Sequence, residues 1–123
     1  MTVTTWTQDY PARESSAEAA ARHVKRLLES CIPSRADDAH KLAVKLFAWG
    51  LARSKKNANL NLITMIDHTP GGLKVRFELH YPFDMPALDT RLAFEAMCGF
   101  ADAYGECNTR TGRMTYGELW ERR

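Results

Sequence analysis

At 123 residues, 45% hydrophobic and 26% charged, the chain has room for one domain with its own core and not for two, and its usage is that of an ordinary globular protein rather than a disordered or fibrous one. A formal net charge of +2 is too small for a nucleic-acid footprint, and no apolar run approaches the roughly 20 residues a membrane span needs. Cys31, Cys98 and Cys107 are odd in number with no CxxC or Cys/His spacing, which argues against a disulfide framework and a zinc site. Residues 1–13 lack the cationic start and apolar centre of a secretory signal, so a cytoplasmic location with no membrane partner is expected.

Val3 to Tyr10, rich in threonine and aromatics, predicts a first strand, an edge or an entry strand, and Pro11 ends it because proline has no N–H for the ladder. Ser15-Ser-Ala-Glu18 has the form of a capping box. From there Ala17, Ala20, Ala21, Val24, Leu27, Leu28 and Cys31 recur at helical spacing up to the Ile32-Pro33 break. The second helix, from about Arg35 to Ser54, organises the rest of the chain. Ala39, Leu42, Ala43, Leu46, Phe47 and Gly50 share one side of its wheel and predict packing on a core, with Ser34 as its cap and Asp37 and Asp38 in its first turn. Lys41 and Lys45 lie on a different side and Trp49 borders it, so two cations and a large aromatic share a face outside the core. The basic cluster Arg53-Ser-Lys-Lys56 sits where cations complement the negative end of a helix dipole, which explains it without a nucleic-acid ligand.

After Asn57 the period changes to two. Leu60, Leu62, Thr64 and Ile66 alternate with Asn59, Asn61, Ile63 and Met65; Thr69-Pro-Gly-Gly72 supplies a turn; Leu73, Val75, Phe77, Leu79 and Tyr81 then alternate with Lys74, Arg76, Glu78 and His80. Leu88 to Ala103 predicts a third helix ended by Gly105. A second, weaker hairpin is expected from Glu106 to Thr109 and Arg113 to Trp120 around a turn closed by Gly112. The expected fold is α+β, a single domain over 1–123 built as a two-layer sandwich. Three helices cover one face of a mostly antiparallel mixed sheet, and the hairpin from Asn59 to Tyr81 is at its centre.

Motifs for chemistry are absent. His23, His40, His68 and His80 show no HxH or HExxH spacing, no serine sits in a G-x-S-x-G elbow, and no Walker or Rossmann glycine pattern occurs. Asp37 and Asp38 are explained by their place in a first helical turn. No catalytic or metal residue is expected.

Several short segments carry a resemblance. Trp6-x3-Tyr10-Pro-Ala-Arg13, a helix ending Leu27-Leu28-Glu29, Asp37-Asp38-Ala39 opening a helix that closes on Ala52-Arg53-Ser54, and the strand Gly71-Gly72-Leu73-x-Val75-x-Phe77 run in this order. So do Ala101-Asp-Ala-Tyr-Gly105 and Met114-Thr-Tyr-Gly-Glu-Leu119. Together they resemble the small bacterial ATP-binding regulators of the anti-sigma-factor serine kinase type, of the GHKL superfamily of gyrase, chaperone, histidine kinase and mismatch-repair ATPases. The resemblance implies a glutamate and, four residues later, an asparagine on helix two to work on nucleotide and magnesium. Here those positions fall on Lys45 and Trp49. An ammonium cannot act as a base at neutral pH and an indole offers magnesium no oxygen.

The resemblance also implies an Asp-x-Gly-x-Gly adenine loop after the third strand. The chain instead reads Leu79-His80-Tyr81-Pro82-Phe83, and no glycine occurs between Leu73 and Cys98, so close backbone approach to a nucleotide is not provided for. The expectation is a degenerate, nucleotide-independent protein-binding regulator. Lys45, Trp49, Leu79 and His80 are its candidate degenerate pocket or partner surface, and it takes no cofactor. Its partner is expected to be a sigma factor, an anti-sigma antagonist or a transcriptional regulator, with a homodimer as a further expectation. The alternatives are an active serine kinase with an altered Mg-ATP site and, third, a DNA-binding protein using Arg53 to Lys56. A tryptophan on a packed helix is more often core than site, so much turns on where Trp49 lies.

Overall fold

The computed structural model describes residues 2–54, 58–82 and 100–121. A strand β1 (Thr2–Pro11) leads into helices α1 (Glu14–Cys31) and α2 (Ala36–Arg53), joined by a short 3-10 turn at Pro33–Arg35. Hairpin β2 (Asn59–Thr69) and β3 (Gly72–Tyr81) follows, and β4 (Ala103–Asn108) and β5 (Arg113–Trp120) close the chain. The strands form one open sheet in the order β1-β2-β3-β5-β4, every described pairing antiparallel. The fold is α+β, compatible with a two-layer sandwich, and β3 is its central strand.

Strand alternation and helical spacing meet in one core. Leu62 is paired with Leu79, Thr64 with Phe77 and Ile66 with Val75, and all six side chains are buried. Against them α2 packs Ala39, Leu42, Ala43, Leu46 and Phe47, and α1 adds Ala20, Ala21, Val24 and Leu28. The predicted face of each element is therefore the buried one. Tyr10 meets Phe47 edge to face with ring centroids 5.3 Å apart, fastening the end of β1 to α2. Gly117 on β5 lets α2 approach the sheet, since a Cβ there would stand 2.7 Å from a Leu42 methyl. Gly72, at φ 125°, closes the β2–β3 turn in a conformation that side chains resist.

Helix starts differ from expectation. α1 begins at Glu14, so Ser15 lies inside its first turn and caps nothing; the adjacent Ser16 hydroxyl instead donates to the Pro11 carbonyl at 2.6 Å and fixes the corner between β1 and α1. Ser34 does not cap α2 either, because the 3-10 turn makes Arg35 the N-cap residue without a side-chain cap bond. The third helix expected from Leu88 falls largely outside the described residues. Its expected end is corrected: Phe100 to Asp102 form a turn and bend, and Gly105 lies within β4, opposite Tyr116, rather than ending a helix. Pairing with β5 overrides the helical spacing there.

Arg35 had no role in the sequence reading, yet it is only 4% exposed. Its guanidinium donates to Asp102 Oδ2 at 2.9 Å, to the Trp120 carbonyl at 3.3 Å and to the Phe100 carbonyl, while Nε lies 2.9 Å from Asp38 Oδ2. One side chain thus ties the start of α2 to the start of β4 and the end of β5.

Candidate functional site

The face of α2 outside the core carries the first candidate residues. Lys41 and Lys45 are exposed, Trp49 is half-buried and Arg53 is 6% exposed, and the i, i+4 spacing sets the four one above another along the helix. The Arg53 guanidinium lies flat on the Trp49 ring, 3.2 Å from its centroid. Burial lowers the Arg53 pKa from its ordinary value, with the charges of Tyr81 and Glu106 opposing that shift and Arg113 adding to it; arginine stays charged throughout.

Strand register supplies the other half of the cluster. Glu106 on β4 stands opposite Thr115 on β5, whose side chain is buried, so the Glu106 carboxylate points to the helix layer. There its Oε2 accepts a hydrogen bond from Trp49 Nε1 at 3.2 Å and its Oε1 one from Arg113 Nη2 at 2.7 Å. The Glu106 side chain is 6% exposed. Beneath it the Tyr81 hydroxyl and Thr115 Oγ1 are hydrogen-bonded at 3.0 Å, and burial raises the Tyr81 pKa although that hydrogen bond lowers it. Trp49 is therefore clamped between a guanidinium and a carboxylate.

Leu79 and His80 do not join this cluster, because neighbouring strand residues face opposite sides of a sheet. Leu79 is fully buried in the core. His80 lies on the face away from the helices, its Nε2 3.0 Å from Glu78 Oε1. Glu78 also accepts from Arg76 Nε at 2.7 Å, and Arg76 reaches Glu118 Oε2 at 2.9 Å while stacking over Tyr116.

Burial alone raises the Glu78 pKa, but hydrogen bonds from His80 and Arg76, with their charges, more than offset it and leave the net value below 4.5. A carboxyl whose folded pKa is depressed contributes stability above its unfolded pKa and loses it as pH falls through the folded value. Urea unfolding from pH 7 to pH 3 is therefore expected to show a loss of stability below about pH 4.5 that is smaller in Glu78→Gln; equal slopes in both proteins contradict this.

Arg53, Glu106 and Arg113 were missed as site residues. The sequence places Arg53 in a basic cluster at the end of the second helix, and it does lie in the last turn of α2; its burial is what the sequence does not show. The available signal was its position four residues after Trp49, which continues the series from Lys41. Nothing in sequence spacing points from Trp49 to Glu106, 57 residues on. Among the described residues no group of three or more His, Cys, Asp or Glu is placed to hold a metal ion, and no helix is long and apolar enough to cross a membrane. No protein-family model matches the chain, and comparison with curated proteins finds no match.

Proposed function

We propose that this domain is a nucleotide-independent protein-binding regulator, a degenerate relative of the GHKL ATP-binding regulators whose partner is a sigma factor, an antagonist of one or another transcriptional regulator. The observation that carries the reading is the clamp on Trp49. At the position where the resembled family places a magnesium-binding asparagine, this chain holds an indole fixed between Arg53 and Glu106. One turn earlier, where that family has its glutamate, Lys45 presents an exposed ammonium. The only carboxylate at the cluster among the described residues is Glu106, and both its oxygens are engaged.

Thermal-shift titration tests this. A ligand that binds only the folded state at a hundredfold excess over its dissociation constant adds about 2.7 kcal/mol. Millimolar Mg-ATP and Mg-ADP are expected to leave the melting temperature unchanged, and a saturable rise sinks the reading in favour of an ATP-dependent kinase.

Self-association belongs to the same proposal. β1 is an edge strand whose residues 3–9 are all exposed, with Val3 at 54% and Trp6 at 42%. The only charge over that span is Asp9, and residues 3–9 hold none of the lysines and prolines that keep edges from pairing. Sedimentation is expected to find a dimer that Trp6→Lys converts to monomer. A monomer at high concentration, or a dimer indifferent to Trp6→Lys, contradicts this.

A further inference from the structure

The outward side of α2 combines two features that the clamp does not use. Next to the Lys41, Lys45, Trp49, Arg53 stripe is a shallow groove between the helices of about 390 Å³, lined by Ala17 of α1 and Val44, Ala48, Leu51 and Ala52 of α2, with Glu14 its one charged lining residue. Ala48 and Ala52 join groove to stripe, since on a helical wheel they fall between Val44 and Lys45. Among the described residues the exposed Lys41 and Lys45 make no ion pair or side-chain hydrogen bond, whereas Lys25 on the neighbouring α1 lies 3.2 Å from Asp37. Arg53, more than nine-tenths buried against the Trp49 ring and under the charge of Glu106, closes the inner end of the stripe and leaves the two lysines as its open charges.

We infer that this surface is the docking site for an acidic amphipathic helix of a partner protein, its apolar side in the groove and its carboxylates on Lys41 and Lys45. The inference rests on the protein-binding reading above and names the chemistry of the partner. Lys41 and Lys45 stand four residues apart, a rise of about 6 Å, which matches carboxylates placed four apart on a facing helix. A helix laid in an apolar groove is read through anchors at such spacings. A DNA backbone could meet the cations but has nothing to place against Ala17, Val44 and Leu51.

The test uses isothermal titration of the full chain with three probes at low salt: a synthetic helical peptide with leucines on one side flanked by glutamates, the same peptide with lysine for glutamate, and a short DNA duplex. The acidic peptide is expected to bind and the lysine peptide not. Lys41→Glu with Lys45→Glu, both exposed positions, is expected to weaken binding at least about tenfold with the melting temperature unchanged, and Val44→Asp to weaken it independently. The inference is overturned if both peptides bind equally, if neither binds, if the double variant binds like the parent, or if only the duplex binds. An Mg-ATP titration on the same sample separates the two levels: failure of the peptide with no nucleotide binding removes this inference alone, while nucleotide binding removes the underlying reading.

Discussion

Arg35→Ala is expected to destabilise the fold by about 3–5 kcal/mol, the range for breaking a buried ion pair from one side. The loss is large because one guanidinium donates to Asp102 and to the carbonyls of Phe100 and Trp120 and is ion-paired with Asp38 as well. A domain of this size holds about 5–15 kcal/mol in all, so a melting temperature lower by more than about 10 °C is expected. Arg35→Lys should recover little, since a single ammonium cannot span acceptors on α2, β4 and β5 at once. A loss below about 1 kcal/mol, the typical worth of a surface pair, contradicts the burial of this side chain.

Glu106→Ala is the second large effect, again about 3–5 kcal/mol. Its carboxylate accepts from both Trp49 and Arg113, and its removal takes away the partner of Arg113 and the negative charge that acts on Arg53. Glu106→Gln keeps an acceptor for the Trp49 N–H while removing the charge, so a smaller loss of about 1–3 kcal/mol is expected. Denaturant unfolding followed by tryptophan emission reads both, with a red shift of the native spectrum in Glu106→Ala as the indole loses its partner. Equal stability of Ala and Gln variants would mean that the charge does nothing here.

Much of the fold was legible because its signals are local and periodic. Leu42, Leu46 and Phe47 at helical spacing, and Val75, Phe77 and Leu79 at strand spacing, each marked a face that is now buried. What was not legible depends on long-range pairing. Gly105 looked like a helix end and is a strand residue because β5 pairs with it. The burial of Arg35 and Arg53 was not legible either, since a sequence shows charge but not the partner or ring that accompanies it into the interior. Leu79 and His80 entered the candidate site because the resemblance aligns the stretch from Leu79 to Phe83 with an adenine loop, and the two-residue period of β3 sends them to opposite faces. Lys45 and Trp49 stay together because one helix carries both.

The indole N–H of Trp49 reports most directly on whether this surface reads protein or nucleotide. In ¹⁵N-correlated NMR spectra its cross-peak can be assigned by Trp49→Phe and followed during titration. The expected result is a saturable shift of the Trp49 indole peak with the acidic helical peptide and none with millimolar Mg-ATP. A shift with Mg-ATP, and none with the peptide, would contradict the account.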